Sequence, residues 1–237
     1  MPAAPLRLAA LLGLLFLAAC QQPERVVAPS AFDWGNEQPS GSLVRRLDAQ
    51  GVAVERMRVS RTALRHYAGP GERGSHLRTT AAGSELFTAD GRSWCRGTLD
   101  QAAGRASLAC DGFTKVELLR QAADVTVTRD AQPWGRLILT GGAPTALESG
   151  ATRLSFSNEA GSWSAKRADG ASEGSTAGWG RGKGAPLLWL PLPTAPGFGD
   201  DRWPAVRASV AWLASALLDD TMAPVTAAAP SAGSGKP

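Results

Sequence analysis

The chain has 237 residues, 25 basic and 21 acidic, a formal net charge of +4, three cysteines and two histidines. A balance that close to neutral gives no electrostatic footprint for nucleic acid. Three cysteines are too few for a cysteine-dense scaffold. Eight Trp against one Tyr, with 27 Gly and 16 Pro, favour short strands and turns over long helices.

The chain opens "MPAAPLRLAALLGLLFLAAC". One basic residue, Arg7, precedes an apolar run from Leu8 to Ala19. That run is shorter than the roughly 20 residues needed to span a bilayer, and it suits the core of a secretory signal. Its end, Leu17-Ala18-Ala19-Cys20, resembles a bacterial lipobox. The resemblance implies that residues 1–19 are a signal peptide and that Cys20 becomes a lipidated N-terminus carrying palmitate-type chains. Gln21 stands where an Asp would imply retention at the inner membrane. By the same resemblance, the destination is the outer membrane of a Gram-negative bacterium, at its periplasmic face. Removal of residues 1–19 leaves 218 residues with a net charge of +3. The Pro, Gln and Ser of residues 20–42 read as a tether, which leaves a β-rich domain over 43–220.

The first part of that domain is arginine-rich. Arg45, Arg46, Arg56, Arg58, Arg61, Arg65, Arg73 and Arg78 face only Asp48, Glu55 and Glu72 in sequence. Guanidinium groups suit phosphates and carboxylates, so an anionic headgroup is one candidate ligand. His66 and His76 flank "YAGPGERGS", a turn-like stretch that suggests they face each other across a hairpin. Two histidines with no nearby Cys, Asp or Glu spacing do not make a metal site.

Three segments share one pattern: "LFTADGRSW", "TVTRDAQPW" and "SFSNEAGSW". Aligned on Trp94, Trp134 and Trp163, each has an acid four residues earlier: Asp90, Asp130 and Glu159. This reads as strand, turn and strand. The acid opens the turn, and the Trp covers apolar surface on the return strand. The copies lie 40 and 29 residues apart, so they do not form a fixed-period repeat.

The first copy runs into "SWCRGTLDQAAGRASLACDG". Setting Cys95 opposite Cys110 pairs Gly97 with Leu108 and Leu99 with Ala106. It leaves Gln101–Gly104 as a four-residue loop. One face then carries Cys95, Leu99, Ala106, Leu108 and Cys110, while the other carries Arg96, Thr98 and Ser107. In an exported protein this pair is expected to form a disulfide.

Further strand-like runs surround these hairpins, and one helix follows at 202–219. In it Trp203, Val206, Val210, Leu213 and Leu217 form an apolar stripe. The fold class is therefore mainly β: an antiparallel barrel or sandwich of short hairpins, with one C-terminal helix packed on it or in it. Residues 221–237 are a low-complexity tail. The helix after many strands is similar, at the level of architecture, to the tubby-like fold, in which such a helix plugs a barrel.

Candidates for chemistry are sparse. "GASEG", centred on Ser172, matches the spacing of a hydrolase elbow, but it lies in a Gly/Ser stretch without the strand and helix that the motif requires. No triad, paired carboxylates or zinc spacing appears, so the sequence assigns no catalytic residue, metal or cofactor.

The stretch from "LACDGFTKVELL" to "SWSAKRADG" resembles the membrane-bound inhibitors of c-type lysozyme, which are small periplasmic β-barrel lipoproteins. The matched positions are Cys110 with Gly112, the run Lys115–Leu119, Ser149-Gly150-Ala151, and Trp163 with Lys166. The resemblance implies that Ser149 and Gly150 enter the lysozyme cleft and that Lys166 assists. Arg153 stands where that family has Tyr, and Cys95 lies on the wrong side to be its partner cysteine.

The functional expectation is a lipid-anchored, non-enzymatic binding or structural module of the envelope. Its partners would be the membrane through Cys20 and an envelope protein, lipid or glycan, not nucleic acid. A lysozyme inhibitor, or an enzyme whose site is assembled only by folding, are the alternatives.

Overall fold

The computed structural model describes residues 42–67, 74–80, 83–179, 182–193 and 202–218. The expected signal peptide at 1–19, Cys20, the expected tether and the expected tail at 221–237 lie outside these residues. Period-two alternation dominates the described chain, and the backbone follows it into fourteen strands. The first seven are β1 (Ser42–Leu47), β2 (Ala53–Val59), β3 (Ala63–Tyr67), β4 (Gly74–Thr80), β5 (Gly83–Phe87), β6 (Ser93–Asp100) and β7 (Arg105–Cys110). They continue as β8 (Thr114–Arg120), β9 (Asp124–Arg129), β10 (Gln132–Thr140), β11 (Ala143–Ser149), β12 (Thr152–Glu159), β13 (Ser162–Arg167) and β14 (Ser172–Ala177). Each strand pairs with its sequence neighbours, all antiparallel, and β14 returns to β1 to close a barrel. The segment with the lysozyme-inhibitor resemblance runs from β7 to β13 inside this one sheet.

Fourteen strands pose a packing problem. About eight strands enclose a space that inward side chains can fill, and larger barrels leave a lumen. Here the inward residues are apolar: Val44, Met57, Leu64, Leu77, Leu86, Leu108, Val116, Leu137 and Leu147 are all buried. The chain supplies their second layer itself. Gly182–Leu190, containing a 3₁₀ turn at Ala185–Trp189, runs against β11 and β13. Helix α1 (Arg202–Leu218) runs back against β3, β6, β7 and β8. The two segments are antiparallel. The Gly184 N–H donates to Ser215 Oγ (2.8 Å), and Arg207 Nη1 donates to the Leu190 carbonyl (3.0 Å). At Gly184 a Cβ would meet the Ala211 carbonyl oxygen at 2.1 Å, so only glycine lets these backbones approach so closely.

The expected single apolar stripe on α1 is too modest a description. Every residue from Ala205 to Leu218 is buried. Apolar character all round is the mark of a helix enclosed on every side. Ala208, Ala211, Ala214, Ser209 and Ser215 provide small faces between the large side chains. Ser209 and Ser215 return their hydroxyls to the Ala205 and Ala211 carbonyls. At the helix end, Gln101 Nε2 donates to the Ala216 carbonyl (2.6 Å) and Arg120 Nη1 to the Leu217 carbonyl (2.8 Å). These donors satisfy carbonyls that the helix cannot satisfy itself, and the guanidinium suits the negative end of its dipole. At the helix start, Trp203 packs on Phe113 (4.5 Å between centroids) and Trp134 (6.0 Å).

The outward residues are largely charged or hydroxylated, including Arg45, Arg58, Arg78, Glu117, Arg136, Glu148, Arg153 and Lys166. A membrane-spanning barrel carries an apolar band there.

Candidate functional site

The cysteine hairpin forms with the expected register. Cys95 lies opposite Cys110, Gly97 opposite Leu108 and Leu99 opposite Ala106 on β6 and β7. The two sulfurs are 2.10 Å apart. Gly104 takes a positive φ of 64° in the connecting turn. Cys95, Ala106, Leu108 and Cys110 face the lumen and join the core.

The three Trp-marked segments are all hairpins, at β5–β6, β9–β10 and β12–β13. Their acids do not share one job. Asp90 bonds Thr88 Oγ1 and Arg92 within its own turn. Asp130 instead accepts from Lys115 N (2.7 Å) and Thr114 Oγ1 (3.1 Å) on β8. In the third hairpin, Asn158 rather than Glu159 accepts from the turn, at Gly161 N (3.2 Å). Because successive strands alternate in direction, the first two turns lie at one end of the barrel and the third at the other. Trp134 and Trp163 are buried, and Trp94 packs on Phe113. The three Trp are core residues split between the two ends, not one exposed platform.

The other sequence candidates scatter. Ser149, at the end of β11, donates from Oγ to the Trp134 carbonyl (2.6 Å). Gly150 forms the exposed turn that follows, at φ 56°. Lys166 is exposed on β13, two strands away and opposite Ser155. Ser172 opens β14 and is followed by strand, not helix. The expected meeting of His66 and His76 does not occur. The β3–β4 register sets His66 against Ser75 and Arg65 against His76. An offset of one residue sends the two rings to opposite faces of the sheet. His66 points into the lumen and His76 outward, both buried. Among the described residues no group of three or more His, Cys, Asp or Glu is placed to hold a metal ion.

The lumen holds a polar constellation that the sequence reading missed. Glu55 of β2 points inward beside Met57 and Val59. Its Oε1 accepts from Arg46 Nε (3.0 Å) and Nη2 (2.8 Å) on β1, and from Arg207 Nη2 on α1. His66 Nε2 lies 3.7 Å from Glu55 Oε2. Burial alone would raise the Glu55 pKa. His66 and the two guanidiniums outweigh that and hold it at about 2. Burial pulls Arg207 down to about 10, against the support of Glu55. Both groups therefore stay ionised at neutral pH. Breaking such a buried pair costs several kcal/mol, so the cluster pins α1 to the wall formed by β1–β3. Two signals could have found it. Arg207 is the only charged residue from Trp203 to Leu218, and Glu55 shares the alternation of the buried Met57 and Val59.

Sorting by strand parity has a second result. Within β1–β4 the only acid is Glu55, and it faces the lumen. The outer face of these strands carries Arg45, Arg56, Arg58, Arg65 and Arg78. Arg45 lies opposite Arg56, and Arg58 opposite Arg65. His76, on the same face, is held at about pKa 4 by burial and by the charges of Arg65 and Arg78.

The chain matches no family model, no curated protein and no solved structure.

Proposed function

We propose that this chain is a lipid-anchored protein of the outer membrane, exposed to the periplasm, whose barrel serves as a non-enzymatic binding or structural module of the envelope. The observation that carries the reading is the plugged lumen. Residues 182–190 and 202–218 take up the interior that a ligand-carrying barrel would leave open. The surfaces offered to a partner are then the outer wall and the two ends. The lipobox ending at Cys20 supports the address, and the Cys95–Cys110 pair suits an oxidising compartment.

The test is metabolic labelling with palmitate, followed by separation of inner and outer membranes. Label and outer-membrane location are expected for the natural chain, and both are expected to be lost in Cys20→Ser. Crosslinking from outer-wall positions should then capture an envelope component. Turnover of a periplasmic substrate by the purified chain would overturn the non-enzymatic reading.

The lysozyme-inhibitor alternative ranks lower. The Ser149 hydroxyl is engaged with the Trp134 carbonyl, and its segment is part of a larger wall. Unchanged c-type lysozyme activity at micromolar excess of the chain removes that alternative.

A further inference from the structure

We infer that β14 is the strand at which the barrel opens sideways, and that the plug formed by residues 182–190 and α1 is the clamp that holds it shut. Four observations converge on this seam.

The first is chain order. Every other ladder joins strands that follow one another in sequence. β1 and β14 are the first and last strands of the sheet, and no turn joins them. Bringing such distant segments together costs more chain entropy than closing a hairpin.

The second is the ladder itself. β14 is in register with β1 only at Arg45–Ala177, Arg46–Thr176 and Leu47–Ser175. On its other side it is in register with β13 only at Ser164–Ser175, Ala165–Gly174 and Lys166–Ser172. Among the described residues every other neighbouring pair of strands is in register over four residues or more. Glu173 is the extra residue of a bulge and has no opposite number on β13. β14 therefore has the shortest ladder on both of its sides.

The third is that side chains take over where the ladder stops. Thr176 Oγ1 accepts from the Trp163 N–H (3.2 Å), and Ser172 Oγ accepts from the Gly174 N–H (3.2 Å). The carbonyl of the bulged Glu173 accepts from Trp189 Nε1 of the plug (3.2 Å). The Trp189 ring is itself seated against Phe156 of β12, at 5.4 Å between centroids.

The fourth is a path of bonds that crosses the seam from inside. It leaves β14 at the Glu173 carbonyl and enters the plug at Trp189. The next residue, Leu190, offers its carbonyl to Arg207 Nη1 (3.0 Å). Arg207 Nη2 donates to Glu55 Oε1, which also accepts from Arg46 Nη2 of β1 (2.8 Å). Arg46 lies opposite Thr176 of β14, where the path began. The plug is thus bonded to the strands on both sides of the seam. Its hold on β1 is charge-assisted and buried, whereas its hold on β14 is a neutral indole–carbonyl bond. Neutral bonds are the weaker kind, so the path yields first at β14. The lumen is then reached from the side, through the wall, without parting any hairpin.

Local opening of this kind is read by amide hydrogen exchange. The experiment follows exchange in the purified chain by mass spectrometry at neutral pH, with β9–β10 as the reference ladder. Amides of Ser172–Ala177 are expected to exchange at least about tenfold faster than those of β9–β10. Trp189→Phe keeps a ring against Phe156 and removes the N–H. It should speed exchange in β14 severalfold further and leave β9–β10 unchanged. Trp134→Phe is the control, because it removes an indole bond to the plug at a different place, the Pro191 carbonyl. It should leave β14 as it is in the natural chain. A disulfide across the seam, from Arg45→Cys with Ala177→Cys, should slow β14 exchange to the reference rate. This last measurement does not depend on whether the Trp variants fold.

Exchange in β14 as slow as in β9–β10 would overturn the proposal. Equal acceleration of both ladders by Trp189→Phe would make Trp189 a general stabiliser of the barrel and overturn the clamp. Fast β14 exchange that persists in the cross-linked chain would show that these amides open without the seam parting, and would overturn the sideways opening.

Discussion

The wall made by β1–β4 and the wall made by β8–β13 use the same alternation in opposite ways. In β8–β13 the inward positions are mostly apolar, and outward Arg136 and Arg153 sit beside carboxylates. In β1–β4 an acid has been turned inward, where it binds Arg46 and Arg207, and the outer face is left basic. One side of the barrel therefore holds its plug largely by hydrophobic contact, with Arg120 of β8 bonded to the Leu217 carbonyl. The other holds it through a buried ion cluster. The difference teaches that a single inward Glu does two things at once in a two-sided sheet. It creates the lumenal lock, and it leaves the described residues of those strands with no acid of their own on the outer face.

Breaking the lock should have the largest effect. Glu55→Leu leaves two guanidiniums facing an apolar lumen and should cost about 3–5 kcal/mol in urea denaturation. Glu55→Leu with Arg207→Met should recover part of that, with clear non-additivity. Loss in the double variant equal to the sum of the singles would show that the two residues do not act as a unit. Between β6 and β7, Cys95→Ala with Cys110→Ala should cost about 3 kcal/mol, from a fifteen-residue separation.

Acid should separate the walls further, since two of the shifted groups, Glu55 and His76, lie on β2 and β4. His76 is neutral in the fold down to about pH 4, whereas in the unfolded chain it gains a proton near 6.5. The unfolded state then binds more protons, so stability falls as pH drops from about 6.5 to 4. Glu55, at about 2 against an ordinary 4.5, stabilises the fold above pH 4.5. That contribution is lost as pH falls from 4.5 towards 2. Denaturation midpoints across this range should show both steps, and His76→Gln should flatten only the first.

Smaller effects follow. Gly184→Ala drives a methyl against the α1 backbone and should cost about 1–3 kcal/mol. It should also speed proteolysis near residues 182–190. Arg153→Ala, at an exposed pair with Glu148, should cost less than about 1 kcal/mol. A larger loss would mean that the outer pairs carry more of the β8–β13 wall than their exposure suggests.

Much of this was legible locally. The hairpin register from Cys95 to Cys110, the strand–turn–strand character of the Trp segments, and the one C-terminal helix, expected over 202–219, follow from alternation, turn residues and apolar spacing. Each depends on residues within about twenty positions of one another. The Trp-segment acids share a spacing but not a role, because whether Asp130 serves its own turn or β8 depends on which strand lies alongside. His66 and His76 part for a related reason. A shift of one residue in register is invisible in composition, yet it reverses the face.

The amino-acid sequence by itself determined that this chain would be a β protein of short antiparallel strands with one apolar helix, since alternation and turn chemistry act over a few residues. Only the tertiary structure decided the number of strands that close the barrel, and with it whether the helix lies on the sheet or inside it. A lumen fourteen strands wide must be filled, and the need to fill it arises from the closed sheet as a whole. The same closure decided that Glu55, Arg46, His66 and Arg207, which lie up to 161 positions apart, meet in one buried cluster. It also decided that Arg45, Arg56, Arg58, Arg65 and Arg78 share one outer face. Contacts of that separation follow from strand order and parity, which no local stretch of sequence encodes.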